Sequence, residues 1–156
     1  MDLALIYIPQ LDAFDLAIDS TTADFVREDS LGTAMVLSLM CDRTAQPNEV
    51  EPGADRRGWW PDAFSEDGDR FGSRLWLLER EKQTEETLQR ARAYIREALA
   101  WVVADGFATG IELTVFAPQR GWLVAQVALA LDGGSRRYRF EWNDATQVWR
   151  LAGELS

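Results

Sequence analysis

The hydrophobic positions change period along the chain, and each change predicts an element. Leu3, Leu5 and Tyr7 alternate, Pro9-Gln10 offers a turn, and Phe14, Leu16 and Ile18 alternate again, which is the pattern of an N-terminal β hairpin. Asp29 or Ser30 can then cap a helix over about 30–42, where Leu31, Met35, Val36, Leu37, Leu39 and Met40 leave almost no polar face. Such a helix belongs inside the molecule. Phe71, Leu75 and Leu78 stand at i, i+4 and i+7 and predict a short amphipathic helix over about 73–82. Thr84 caps a longer one, about 85–104, with Glu85 and Glu86 in its acidic first turn and Leu88, Ala91, Ile95, Leu99 and Val102 as its buried stripe. Asp105-Gly106 ends it.

From Ile111 the period falls back to two. Ile111, Leu113 and Val115 form one strand, Trp122 to Leu131 a second, and Tyr138, Phe140 and Trp142 alternate with Arg137, Arg139 and Glu141 along a third, with Gln147 to Leu151 as a last strand. The turns are Pro118 to Gly121, Asp132-Gly133-Gly134 and Asn143-Asp144. The expected fold is therefore α+β: an N-terminal hairpin, three helices and a C-terminal antiparallel meander over about 111–151. At 156 residues the chain reads as one domain, 1–156, interrupted by an irregular loop at about 44–71.

Composition removes several function classes. Histidine is absent, which takes away the commonest general base, the usual catalytic triads and most transition-metal sites. Cys41, the only cysteine, stands on the apolar helix beside Met40 and reads as a buried, inert thiol; an internal disulfide is impossible. No glycine-rich phosphate-binding motif occurs. A net charge of −10 has the wrong sign for phosphate backbones, so no nucleic-acid partner is expected. Met1 leads directly into DLALIYIPQ with no basic start and no long apolar run, so neither export signal nor membrane span is expected. No cofactor and no metal are expected. The acids Asp62, Glu66, Asp67 and Asp69 cluster around Gly68, but with Gly68 at the sixth loop position Arg74 would fall where a calcium loop needs its bidentate glutamate. Glu49, Glu51, Asp62 and Glu66 could between them supply the two carboxylates of a glycosidase, and sequence offers no distance with which to test that.

What remains is a binding surface. The stretch DRRGWWPDAF places Arg56 and Arg57 just before Trp59 and Trp60 in a Gly/Pro-punctuated loop, and arginine with tryptophan is the pairing enriched at protein interfaces. Two adjacent tryptophans in such a loop cannot easily share one core, so at least one of them is expected to dock on a neighbour. Arg137 and Arg139, on the polar side of their strand, are the second candidate contact. Trp76, Trp101, Trp142 and Trp149 sit on amphipathic elements and are expected in the core.

These same words, DRRGWWPDAF followed by DRFGSRLWLLEREKQTEETLQRARAYIREALAWVVADG, resemble the short Mu-like phage tail baseplate protein family over nearly the whole chain. That family is similar, more loosely, to the wedge component called lysozyme-like in larger contractile-tailed phages, whose long helix ends in Glu-Pro-Arg. Here the helix ends Trp101-Val102-Val103-Ala104-Asp105 without that element. The resemblance implies a structural virion protein in the tail baseplate, assembled in the host cytoplasm. It would be a wedge subunit in a symmetric hetero-oligomer with other wedge, hub and sheath proteins, and would help to initiate sheath assembly. It implies no enzyme activity; the alternative is a tail-associated peptidoglycan-degrading enzyme using acids of the 49–69 loop.

Overall fold

A computed structural model of the chain describes residues 31–64 and 70–155 without a break, and before them 2–3, 5–8, 10–11, 13–16, 18–19, 21–25 and 27–28. The proposed Asp29 or Ser30 cap and the acids Glu66, Asp67 and Asp69 lie outside the described residues.

The N-terminal stretch carries short strands: β1 (Asp2–Leu3), β2 (Leu5–Ile8), β3 (Ala13–Leu16), β4 (Ile18–Asp19), β5 (Asp24–Phe25) and β6 (Arg27–Glu28). They pair antiparallel as β1 with β6, β2 with β3 and β4 with β5, so the alternating segment is divided among three two-stranded pairs and is not the single small hairpin that its period predicts.

Helix α1 (Leu31–Met40) is as apolar as its sequence and buries Met35, Val36 and Leu39. Its Gly32 lies so close to the sheet that an added Cβ would stand 2.9 Å from Leu151 Cδ2. The expected helix over 73–82 is reduced to one 3-10 turn, Leu75–Leu78. The cause is tertiary. Ser73 N donates to Cys41 O at 2.8 Å and Ser73 O accepts from Arg43 N at 2.8 Å, which fixes the chain as an extended bridge immediately before the helix would begin. Gly72 makes that bridge possible at φ +92°, where a Cβ would meet Cys41 O at 2.5 Å. A helical segment so short has too few internal hydrogen bonds to resist such a constraint.

The long helix is also divided, into α2 (Glu85–Ala98) and α3 (Trp101–Ala104). At the join Ala100 N bonds Glu97 O, an i−3 partner, and Leu99 leaves helical geometry at φ −101°, ψ 4°. Leu99 and Val102 nevertheless both stay fully buried, and Trp101 Nε1 reaches Ser38 Oγ of α1 at 3.0 Å. Thr84 caps α2 through its side-chain oxygen, which accepts from Thr87 N at 3.2 Å. Arg90 of α2 turns to Glu81 and to the Tyr94 hydroxyl.

Strands β7 (Gly110–Phe116), β8 (Trp122–Leu131), β9 (Gly134–Asn143) and β10 (Trp149–Leu155) form an antiparallel meander in the order β10-β9-β8-β7. Register places Val115, Ala125 and Phe140 in one row, with Leu113, Val127 and Tyr138 in the next, all on the face covered by α1 and α2. The core is this sandwich of helices on one sheet face. The opposite face carries Arg137, Arg139 and Glu141, as their alternation with Tyr138, Phe140 and Trp142 requires. Among the described residues no helix is long and apolar enough to cross a membrane.

Candidate functional site

The segment between α1 and α2 is anchored by polar contacts more than by burial. Ala45 and Arg56 hold each other twice: Ala45 N donates to Arg56 O at 2.9 Å, and Arg56 Nε donates to Ala45 O at 2.7 Å. Arg57 follows in a left-handed backbone conformation, φ 51°. That conformation costs a non-glycine residue roughly 1–2 kcal/mol, and its contacts offset the cost. Its guanidinium sits 4.5 Å from the centre of the Trp76 ring, donates to Asp42 Oδ2 at 3.1 Å and approaches Glu79 Oε1 at 3.7 Å. Gly58 continues at φ +119°, where a Cβ would strike the Thr44 hydroxyl.

Beyond Gly58 the chain turns outward. Trp59 leans on Phe71, ring centres 5.1 Å apart, and remains 42% exposed. Trp60 opens the 3-10 segment Trp60–Phe64 and is 75% exposed; Phe64, 78% exposed, meets it edge-on at 6.1 Å. Asp62, only 6% exposed, ties this segment back by accepting from Phe71 N at 3.2 Å, while its main-chain oxygen accepts from Arg70 at 3.2 Å. The two tryptophans thus take different roles: Trp59 braces the turn, and Trp60 with Phe64 forms an apolar projection into solvent. Arg56 and Arg57 are engaged inside the chain and hold that projection in place.

A network that the sequence did not disclose fixes the loop to α2. Arg74 grips Glu97 with two nitrogens, at 2.8 and 3.1 Å, and Glu49 with a third at 2.7 Å, its guanidinium lying 4.7 Å from the centre of the Tyr94 ring. Glu49 also accepts from Gln46 N and from the Tyr94 hydroxyl. Partial burial pushes the Glu49 carboxyl up, but the Arg74 and Gln46 hydrogen bonds and the Arg74 charge outweigh it and hold the pKa below the ordinary 4.5. A general acid for glycoside cleavage needs the opposite shift. Cys41 is half-buried, and burial together with the Asp42 charge raises its thiol pKa, so no thiolate is at hand. No group of His, Cys, Asp or Glu residues placed to hold a metal ion occurs among the described residues.

The second candidate pair lies elsewhere. Arg139 donates to Glu141 Oε1 at 2.7 Å and Arg150 to Glu141 Oε2 at 2.7 Å, which consumes Arg139 locally and lowers the Glu141 pKa despite its partial burial. Arg137 is exposed two residues along the same strand. Of the tryptophans expected in the core, Trp149 is buried and Trp76, Trp101 and Trp142 are half-buried.

The loop thus presents an outward aromatic projection held by arginines, on a chain without histidine. Comparison with known proteins gives the chain a family. Residues 31–136 match the family described as Phage protein GP46. The chain is 44% identical over 124 residues to the baseplate protein gp46 of Escherichia phage Mu, covering 78% of this chain and 82% of that protein. It is 34% identical over 125 residues to the Mu-like prophage FluMu protein gp46 of Haemophilus influenzae, covering 78% of this chain and 86% of that protein. The chain belongs to the Mu-like phage baseplate protein family.

Proposed function

We propose that this chain is a structural protein of a phage tail baseplate, a wedge subunit that binds neighbouring baseplate proteins and helps to initiate sheath assembly. The observation that carries the reading is the pair Trp60 and Phe64, both more than two-thirds exposed on a segment fixed by Asp62, Arg56 and Arg57. Two large aromatic rings held out in water are unfavourable for an isolated subunit and suit one that buries them against a partner. Holding them in place beforehand lowers the ordering cost of that contact. The gp46 protein of phage Mu bears the name of a baseplate protein, and the extent of its similarity supports the same location, the virion tail, for this chain. The net charge of −10 keeps subunits apart until specific contacts form.

Quantitative mass spectrometry of purified tail particles tests the proposal. A fixed, ring-like ratio of this chain to the sheath and tube proteins is the expected result. Absence from finished particles would refute it and favour an assembly factor or enzyme.

A further inference from the structure

A basic site on this acidic chain is a small polar cavity of about 210 Å³ beside the anchored loop, lined by Arg43, Arg56, Arg70 and Arg74 with Glu97 as the carboxylate among them. Four arginines line it in a molecule whose net charge is −10, and Arg70 among them donates to Asp62 O at 3.2 Å. Arg74 is balanced by Glu97 and Glu49. Arg43 and Arg56 have no carboxylate partner among the described residues: the Arg56 Nε is spent on the Ala45 carbonyl, and Arg43 is held through its main chain, its N–H donating to Ser73 O and its carbonyl accepting from Trp76 Nε1 at 2.9 Å. The backbone that positions Arg43 is thus fixed independently of its side chain, whose planar fork of donors is available. Gln46 adds a neutral amide to the lining.

Arg43 and Arg56 share this lining without a carboxylate of their own among the described residues, and guanidinium forks match carboxylate oxygens two by two. The cavity has room for a side-chain carboxylate and a few waters and none for a large ligand. We propose that it is a receptor for acidic side chains of a neighbouring protein, receiving an Asp/Glu-rich segment through Arg43 and Arg56 while Trp60 and Phe64 meet the same neighbour's apolar surface. This deepens the docking reading above and rests on it. Arg56 belongs to both sites, since its hydrogen bonds to Ala45 set the loop that presents the tryptophans.

The test uses the whole purified chain and a hexaglutamate peptide, followed by NMR of the arginine side-chain Nε–H signals. Saturable shifts at Arg43 and Arg56 are expected. Affinity should weaken at least tenfold in Arg43→Gln and fall with added salt, while Arg120→Gln in the exposed turn between β7 and β8 leaves it unchanged. Inorganic phosphate should compete weakly. No saturation by hexaglutamate, equal loss in Arg120→Gln, or phosphate binding more tightly than hexaglutamate would each overturn the proposal. Arg43→Gln leaves Trp60 and Phe64 in place, so failure here with assembly still dependent on those rings removes the acidic receptor alone. Loss of the rings without effect on assembly removes the docking reading itself.

Discussion

Phe140 and Trp60 are both large aromatic residues, one fully buried between the sheet and its helices and the other 75% exposed at the tip of a loop. The regions around them are held by different forces. Around Phe140 the molecule is a layered apolar core whose strands pair on both sides of it, broken only by a register shift between Leu151 and Gly153 on β10, so each side chain is fixed by packing against many others. Around Trp60 the chain is fixed by a few hydrogen bonds and ion pairs from Arg56, Arg57, Asp62 and Arg74, and the large aromatic groups are left over. Burial makes the fold stable, whereas the polar anchors determine what the fold presents.

The largest effect should come from breaking the core side of this contrast. Phe140→Ala is expected to cost about 3–5 kcal/mol of stability in urea unfolding, whereas Trp60→Ala should stay within about 0.5 kcal/mol. Equal losses would mean that Trp60 is packed after all. Next in size is Gly72→Ala, which forces a Cβ into the Cys41 carbonyl at an unfavourable φ and should cost about 2 kcal/mol or more. A neutral result would show that the Ser73 bridge can shift.

Arg74→Ala should cost about 1–2 kcal/mol, because the group is partly exposed and solvent weakens its ion pairs. Its clearer signature is local: limited proteolysis between 44 and 58 should accelerate while the sheet stays protected. The smallest effect is that of pH. Glu49 and Glu141 both have folded pKa values below the ordinary 4.5, so their contribution is present above 4.5 and is lost as pH falls through the lower folded values. Stability measured from pH 6 downward should therefore decline below about 4.5, and the Glu49→Gln variant should show a shallower decline.

The sheet side was readable from sequence because alternation and burial are the same fact in a meander: a residue's parity decides its face. Strands β7 to β10 and helix α1 therefore follow the hydrophobic pattern. The division of the long helix at Leu99 and the loss of the one over 73–82 were not readable. Both depend on partners distant in sequence, such as Cys41 for Ser73 and Ser38 for Trp101. The loop was legible in part. Its composition singled out Arg56, Arg57, Trp59 and Trp60, but which of them face outward depends on Phe71, Trp76 and Asp42, and Phe64 carried no signal beyond being one more apolar residue in a loop. Arg74, Glu49 and Glu97 looked like ordinary charges. An arginine between apolar positions, as in the word GSRLWLL, was the available hint.

The most direct test of the central claim is assembly in cells whose phage carries Trp60→Ala and Phe64→Ala together, scored by electron microscopy of tails and by circular dichroism and unfolding of the purified variant. A folded, normally stable variant with few or no sheathed tails is the predicted result. Normal tails from the variant would contradict the account, and so would a variant that fails to fold, since the two rings would then belong to the core.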